Sequence, residues 1–113
     1  DNMASRKYIK LSTGEEILAV YMKPTDGFFN LKHPIQITHV FEKDEEGVRF
    51  TKWIPYTDDK IIPVAAKYVV TMTSLSKKMT KLYNEILLEQ GREEGEDGKD
   101  EFESLEVSNS LIN

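Results

Sequence analysis

Residues 14–31 read G-E-E-I-L-A-V-Y-M-K-P-T-D-G-F-F-N-L, and this stretch decides the fold. Its first half, residues 15–23, is β-rich and apolar at both odd and even positions. Such a pattern indicates a strand that is buried on both faces or strongly bent. Residues 24–27 predict a turn, because proline presets φ and Asp-Gly tolerates positive φ. A second strand therefore begins at the two adjacent phenylalanines.

The rest of the body also consists of strands with short polar connections. We predict five strands, at residues 7–12, 15–23, 28–42, 48–54 and 67–72. A polar hairpin loop is expected at residues 43–47, with Gly47 in the left-handed region. Residues 55–63 begin and end with proline and are interpreted as a loop. Five short, bent strands favour a small antiparallel barrel. The strands at 48–54 and 67–72 are expected to be exposed edges that need pairing.

The hydrophobic period changes after the last strand. Ser74 or Ser76 is suited to cap a helix, since its hydroxyl can accept the free amides of the first turn. Apolar residues then recur at helical spacing, at Met79, Leu82, Tyr83, Ile86 and Leu87. Gly91 is expected to end this amphipathic helix. We therefore predict a barrel-plus-helix unit at residues 1–90.

Residues 91–113 form a separate acidic tail. They hold two basic and eight acidic residues, a net charge of −6, whereas residues 1–90 hold 13 basic and 12 acidic residues, a net charge of +1. The tail has too few apolar groups to offset its chain entropy, and we expect disorder there. Its closing residues, 105–112, hold some apolar side chains that could dock on a partner or a neighbouring subunit.

The composition limits the class of protein. There is no cysteine, which excludes disulfides and thiolate chemistry and fits a reducing compartment. No apolar run approaches the ~18 residues of a transmembrane helix, and no signal peptide is evident. The expected location is the cytoplasm. The nearly neutral body lacks the basic surface that announces strong nucleic-acid binding.

The strand order and the quoted stretch resemble the Sm-like (LSm) family. In that family a glycine separates the first two strands, as Gly14 does here, and apolar positions follow. After a turn come an Asp, a spacer, an aromatic residue, an apolar residue, Asn and Leu. The same order and spacing appear here as Asp26, Gly27, Phe28, Phe29, Asn30 and Leu31. The resemblance covers residues 7–73, and the texture of residues 53–63 looks like small Sm-like proteins of cyanobacterial phages.

The resemblance implies a fold, an assembly and a site. The fold would be a strongly bent, five-stranded antiparallel Sm-like (SH3-like) barrel, followed by the C-terminal α-helix and disordered acidic tail. Such barrels join edge to edge, which implies a homo-oligomeric ring of roughly five to seven subunits. The family's second motif departs: the Arg-Gly or Lys-His pair before the last strand is replaced by Ala65-Ala66. The family's cation is therefore missing, or displaced by one residue to Lys67.

The site implied by the resemblance would bind single-stranded RNA. Phe28 would stack a base, a contact worth ~1–3 kcal/mol. Asn30 offers a donor and an acceptor to a base edge, Asp26 would brace the turn, and Lys67 would supply the cation. Phe29 should point into the core, because successive strand side chains alternate. In the competing interpretation Phe28 packs on a neighbouring subunit and Asn30 satisfies backbone groups.

Other polar groups carry little chemistry in the sequence. Asp58-Asp59 is typical of a turn rather than a metal site. His33 and His39 lie six residues apart on one strand, too far apart to share a metal. Trp53 could anchor an interface or pack in the core. No nucleophile and base come together, so we expect a protein without catalytic residues, cofactor or metal.

Two functions remain open. In the first, a cytoplasmic ring (in the host cell, if phage-encoded) binds U- or A-rich single-stranded RNA through Asp26, Phe28, Asn30 and Lys67. In the second, the ring is a structural or adaptor element that recruits a protein partner through its helix and acidic tail. The intact D-G-F-F-N-L stretch favours the first, and the absent Arg-Gly pair favours the second.

Overall fold

The computed structural model describes residues 5–97 and 104–112. That part of the chain is mainly β, with one long helix. In chain order its elements are β1 Arg6–Leu11, β2 Glu16–Tyr21, β3 Phe28–Glu42, β4 Glu45–Lys52, β5 Ile61–Ala65, β6 Val69–Ser74, α1 Lys77–Asp97, β7 Ser104–Ser108 and α2 Asn109–Ile112. A short 3-10 turn, Ala66–Tyr68, joins β5 to β6.

The strands form one antiparallel sheet in the order β6-β1-β2-β3-β4-β7, and β5 pairs with β3 beside this path. Besides β2, β3 pairs with two further strands: residues 28–32 pair with β5, and residues 35–42 pair with β4. The order β6-β1-β2-β3-β5 accounts for a small, bent barrel of five strands. The β3–β4 hairpin extends from it and carries β7. The prediction of a mainly β barrel with a C-terminal helix is confirmed.

β2 is buried on both faces, as its apolar pattern predicts. Its even-numbered residues Leu18 and Val20 belong to one hydrophobic cluster, with β4 and α1. Its odd-numbered residues Ile17 and Ala19 belong to a second cluster, with β1 and β5. All four side chains are almost fully buried. β2 therefore separates two hydrophobic clusters, one in the barrel interior and one between the sheet and α1.

α1 packs on the first of these clusters through the predicted stripe. Ser76 is the N-cap: its hydroxyl oxygen accepts the amide of Met79 at 3.1 Å. Tyr83 and Ile86 are fully buried. The Tyr83 hydroxyl donates to the carbonyl oxygen of His33 at 2.7 Å. His33 has a positive φ of 52°, so α1 holds β3 at the point where its backbone bends.

Two strand predictions are wrong. Residues 55–63 are not all loop, because Ile61 begins β5. Pro63 is tolerated there because β5 pairs on one side only among the described residues, and a proline without an amide hydrogen is compatible with an edge. The strand predicted at 48–54 is not an exposed edge: β4 pairs with β3 on one side and β7 on the other.

The chain after Gly91 also differs from expectation. α1 continues to Asp97, and Gly91 does not adopt the positive φ of a helix-ending glycine. β7 then pairs with β4 through five residues, and Val107 is buried in the first cluster. The closing residues thus dock on their own chain. Within the tail that was predicted to be disordered, residues 98–103 lie outside the described residues.

Candidate nucleic-acid site

The Asp-Gly turn is a tight two-residue hairpin. Thr25 and Phe28 face each other, with the Thr25 amide donating to the Phe28 carbonyl at 3.0 Å and the Phe28 amide donating back at 2.6 Å. Asp26 and Gly27 both have positive φ, of 24° and 84°, as in a type I′ turn. Asp26 is exposed at its tip. The turn thus presents the start of β3 at the surface in a single backbone geometry.

Asn30 supplies the brace that the sequence assigns to Asp26. Its Nδ2 donates to the carbonyl of Lys23 at 2.9 Å and to the hydroxyl of Thr25 at 3.2 Å. Both contacts tie the chain before the turn to the strand after it. The donor side of the Asn30 amide is therefore engaged, and its Oδ1 is the atom that could accept a bond from a base edge.

The two phenylalanines have different surroundings. Phe29 packs against the barrel interior, and its ring lies 5.7 Å from that of Tyr21 at 57°. Phe28 points the other way and is 46% exposed. Its cross-strand partner is Ala65, whose side chain is a single methyl group. The alternation predicted from the sequence is confirmed: one ring is a core residue and the other is a surface residue.

Lys67 lies on the 3-10 turn that faces the Asp-Gly hairpin. The Ala66 amide donates to the Gly27 carbonyl at 2.9 Å, which fixes the two turns together. The Lys67 ammonium sits 5.2 Å from the centre of the Tyr68 ring, a cation–π contact. Tyr68 is 53% exposed and was missed by the sequence analysis. Its signal was the Lys-Tyr pair directly after the two alanines.

A polar network crosses the first three strands elsewhere on the sheet. The Tyr8 hydroxyl donates to Glu16 Oε2 at 2.6 Å, and His39 Nε2 lies 2.7 Å from Glu16 Oε1. Since an ionised carboxylate only accepts, the Nε2 of His39 carries the hydrogen. Burial, and then the bond to Glu16 and its charge, raise the pKa of Tyr8 to about 12. We find no nucleophile in this hydrogen-bonded chain.

The remaining polar groups of the sequence analysis have structural partners. Trp53 packs against the barrel interior and donates from Nε1 to Glu15 Oε2 at 3.0 Å, which is a packing role. The Asp59 amide donates to the Thr57 hydroxyl at 3.0 Å, as in a turn. Within residues 5–97 and 104–112, no three His, Asp or Glu side chains gather as metal ligands would. No helix in those ranges combines the length and apolarity needed to cross a bilayer.

Comparison with known protein families identifies one whose model matches this chain. The family model for the Sm_like domain matches residues 8–84, which is more than half of the chain. The chain belongs to the Sm-like family. The match begins in β1, includes both turns of the candidate site, and extends beyond β6 into the first turns of α1. No curated protein matches the chain.

Sm-like proteins generally form oligomeric rings and bind RNA. In this Sm-like protein the first motif, residues 26–31, forms the hairpin just described. The second motif carries Ala65 and Ala66 at the positions of the Arg-Gly or Lys-His pair. These alanines lie directly against Phe28 and Gly27. The nearest basic residue in sequence, Lys67, is engaged over Tyr68 rather than placed at the alanine positions.

Proposed function

We propose that this Sm-like protein is a homo-oligomeric ring that binds single-stranded RNA, U- or A-rich, through Phe28, Asn30 and Lys67 beside Asp26. The exposed Phe28 ring carries this proposal. A large aromatic side chain at a rigid turn, with only Ala65 opposite, is a stacking surface that any base can use. Asn30 lies two residues further along the same strand, and its Oδ1 can accept a hydrogen bond from the edge of that base.

Electrostatics play a modest part in the proposed binding. Residues 1–90 have a net charge of only +1, and Lys67 is the basic residue of the 3-10 turn. Affinity should therefore come from stacking and hydrogen bonds more than from phosphate contacts. The role is binding without catalysis, in the cytoplasm. If the protein is phage-encoded, as the likeness of residues 53–63 to small Sm-like phage proteins suggests, this is the cytoplasm of the host cell.

The test is a titration of fluorescent oligo-U and oligo-A at low and moderate salt. Phe28→Ala should weaken binding by about 1–3 kcal/mol, the usual value of one stacked base. Phe41→Ala is the matched control, since Phe41 is also an exposed phenylalanine, 67% accessible, but lies at the β3–β4 hairpin. Size-exclusion chromatography must show the same assembly for all three proteins.

Two results would overturn the proposal. If wild type fails to bind either RNA at low salt, where charge attraction is least screened, the RNA function is wrong. If Phe28→Ala and Phe41→Ala bind equally well, the stacking site is wrong. Either result would favour the alternative adaptor function. That function assigns the tail to a protein partner, but residues 104–112 of the tail pack on the chain's own sheet.

A further inference from the structure

A cleft of about 400 Å³ opens between the C-terminal half of α1, the bend of β3 and the loop before β5. It lies at the other end of the β3–β5 ladder from the turn site. Phe28 pairs with Ala65 at one end, and Lys32 pairs with Ile61 four residues along. At about 3.4 Å per residue the two places are roughly 14 Å apart. The cleft is therefore distinct from the stacking surface.

The cleft has apolar walls large enough to hold a planar ring. They come from the bend of β3, the loop, β5 and α1: Pro34, Ile35, Ile54, Ile62 and Leu87. Sites for small molecules usually have 300–1,000 Å³ and combine such walls with a few polar groups. This cleft falls within that range. Its shape and walls thus suit a small ring system.

Gln90 is the unusual polar group in the cleft. It follows Tyr83 by seven residues and Ile86 by four, so it continues the inward stripe of α1, where an apolar residue is expected. Its Oε1 is buried, and no donor among the described residues reaches it. Buried acceptors are nearly always paired in native proteins. A ligand with an N–H donor would satisfy this one.

The backbone beside Gln90 is held in a rare conformation. His33 lines the cleft with a φ of 52°, and Pro34 follows it. The Tyr83 hydroxyl fixes the His33 carbonyl, and the His33 amide donates to the carbonyl of Lys60 at 3.3 Å. Non-glycine residues in this region often accompany binding sites, where surrounding contacts enforce them. The wall is thus rigid before any ligand arrives.

The rim carries both signs of charge. Lys52 and Lys60 bring ammonium groups, and Asp58 and Asp59 bring carboxylates. Both lysines also interact with other groups of the chain. Ammonium groups pair with phosphate, and carboxylates accept the hydroxyls of a ribose. A carboxamide such as that of Gln90 both accepts from and donates to a base edge.

We propose that this cleft binds a nucleotide, with the base between the apolar walls and its edge on Gln90. The base N–H donates to Gln90 Oε1, the ribose hydroxyls face Asp58 and Asp59, and the phosphate lies near Lys52 and Lys60. This site is separate from Phe28 and does not depend on it. A free mononucleotide and one nucleotide of an RNA chain share this chemistry.

The test is a titration of the full chain with adenosine monophosphate, followed by amide chemical shifts in NMR. We expect the shifts to concentrate at Ile62, Gln90 and Gly91. Gln90→Met, which keeps the length of the side chain but removes its acceptor, should raise Kd at least tenfold. Leu88→Ala, an exposed position on the same helix, should leave Kd unchanged.

Further probes separate the possible sources of the ligand. Ribose 5-phosphate, which lacks the base, should not shift the cleft residues, and this control needs no variant. A triadenylate that binds the cleft more tightly than the mononucleotide assigns the site to RNA, and the reverse assigns it to free nucleotides. Absence of cleft shifts with both ligands, equal binding of ribose 5-phosphate, or unchanged affinity in Gln90→Met would overturn the proposal.

Discussion

Glu16 links three strands through two hydrogen bonds. It accepts from Tyr8 on β1 and from His39 on β3, while it belongs itself to β2. Burial raises the pKa of Glu16. The bonds from Tyr8 and His39, and the attraction of His39 and Lys10, outweigh burial and leave that pKa below its ordinary value. A lowered pKa means that the ionised form is favoured by folding.

Glu16→Gln should therefore alter how stability depends on pH. The stabilisation by ionised Glu16 is complete above its ordinary pKa of about 4.3 and is lost as the pH falls through the lower folded value. Urea denaturation from pH 7 to pH 2.5 should show wild type more stable than the variant near neutrality. The difference should shrink at the acid end.

Exposed Glu46, on the β3–β4 hairpin, provides the control. Glu46→Gln should track wild type across the same range, because the other carboxylates are common to both proteins. A gap between wild type and Glu16→Gln that stays constant with pH would show that the network does not stabilise the ionised carboxylate.

β7 is an added element that closes one side of the sheet. It pairs with β4 from Gly47↔Ser108 to Thr51↔Ser104. Arg49 Nη2 reaches Glu106 Oε2 at 3.1 Å across this ladder. Gly47 permits the approach: a Cβ built there would lie 2.6 Å from the Val107 carbonyl oxygen. The hairpin turn itself is Lys43-Asp44, both with positive φ, so Gly47 is not the turn residue that the sequence predicts.

Gly47→Ala should loosen β7. The new methyl group meets backbone, which must shift, so we expect a loss of about 1–3 kcal/mol in unfolding free energy. Hydrogen exchange should accelerate at residues 104–108 before it changes in β1 or β2. Urea denaturation and exchange mass spectrometry measure the two effects.

Gly91→Ala is the matched control for this substitution. Gly91 lies inside α1, and apart from the backbone of that helix no described residue comes within 4 Å of a built Cβ. The same chemical change should there stabilise the protein by about 0.5–1 kcal/mol, because alanine favours helix. If both variants shift stability in the same direction, the close fit of Gly47 against β7 is not what holds that strand.

At the scale of the whole molecule, β5, β6 and β7 each have one edge without a partner among the described residues. β5 pairs only with β3, and β6 pairs only with β1. Both carry exposed apolar side chains, Ile61 on β5 and Val70 on β6. Open edges of this kind invite pairing with another chain. The proposed ring would pair β5 of one subunit with β6 of the next.

Val70→Lys should weaken the ring. Val70 is 65% exposed in the single chain, and a charge at a contact that becomes buried is unfavourable unless paired. Size-exclusion chromatography with light scattering should show several subunits for wild type and a lower mass for the variant. Phe41→Lys, at the hairpin tip, should keep the wild-type mass. A wild type that is monomeric at micromolar concentration would contradict the ring.

Much of the fold was predictable where the information is local. The apolar pattern of residues 15–23 indicates burial on both faces, which the two clusters on β2 confirm. Ser76 and the stripe through Tyr83 define the start and inner face of α1. The alternation of Phe28 and Phe29 follows from strand geometry alone. Each depends on residues within a turn or two of one another.

What the sequence determined by itself was thus the type of most local elements, with β5 and β7 as exceptions, the faces that are buried and the family motif at residues 26–31. Tertiary structure decided which edges stay open, because pairing joins distant residues, as Gly47 meets Val107. It also kept α1 helical past Gly91 and buried Gln90 Oε1 where no described residue donates to it. The hydrophobic period indicates which face of a helix or strand is apolar. It does not indicate which residues pack on that face or whether a polar group there has a hydrogen-bond partner.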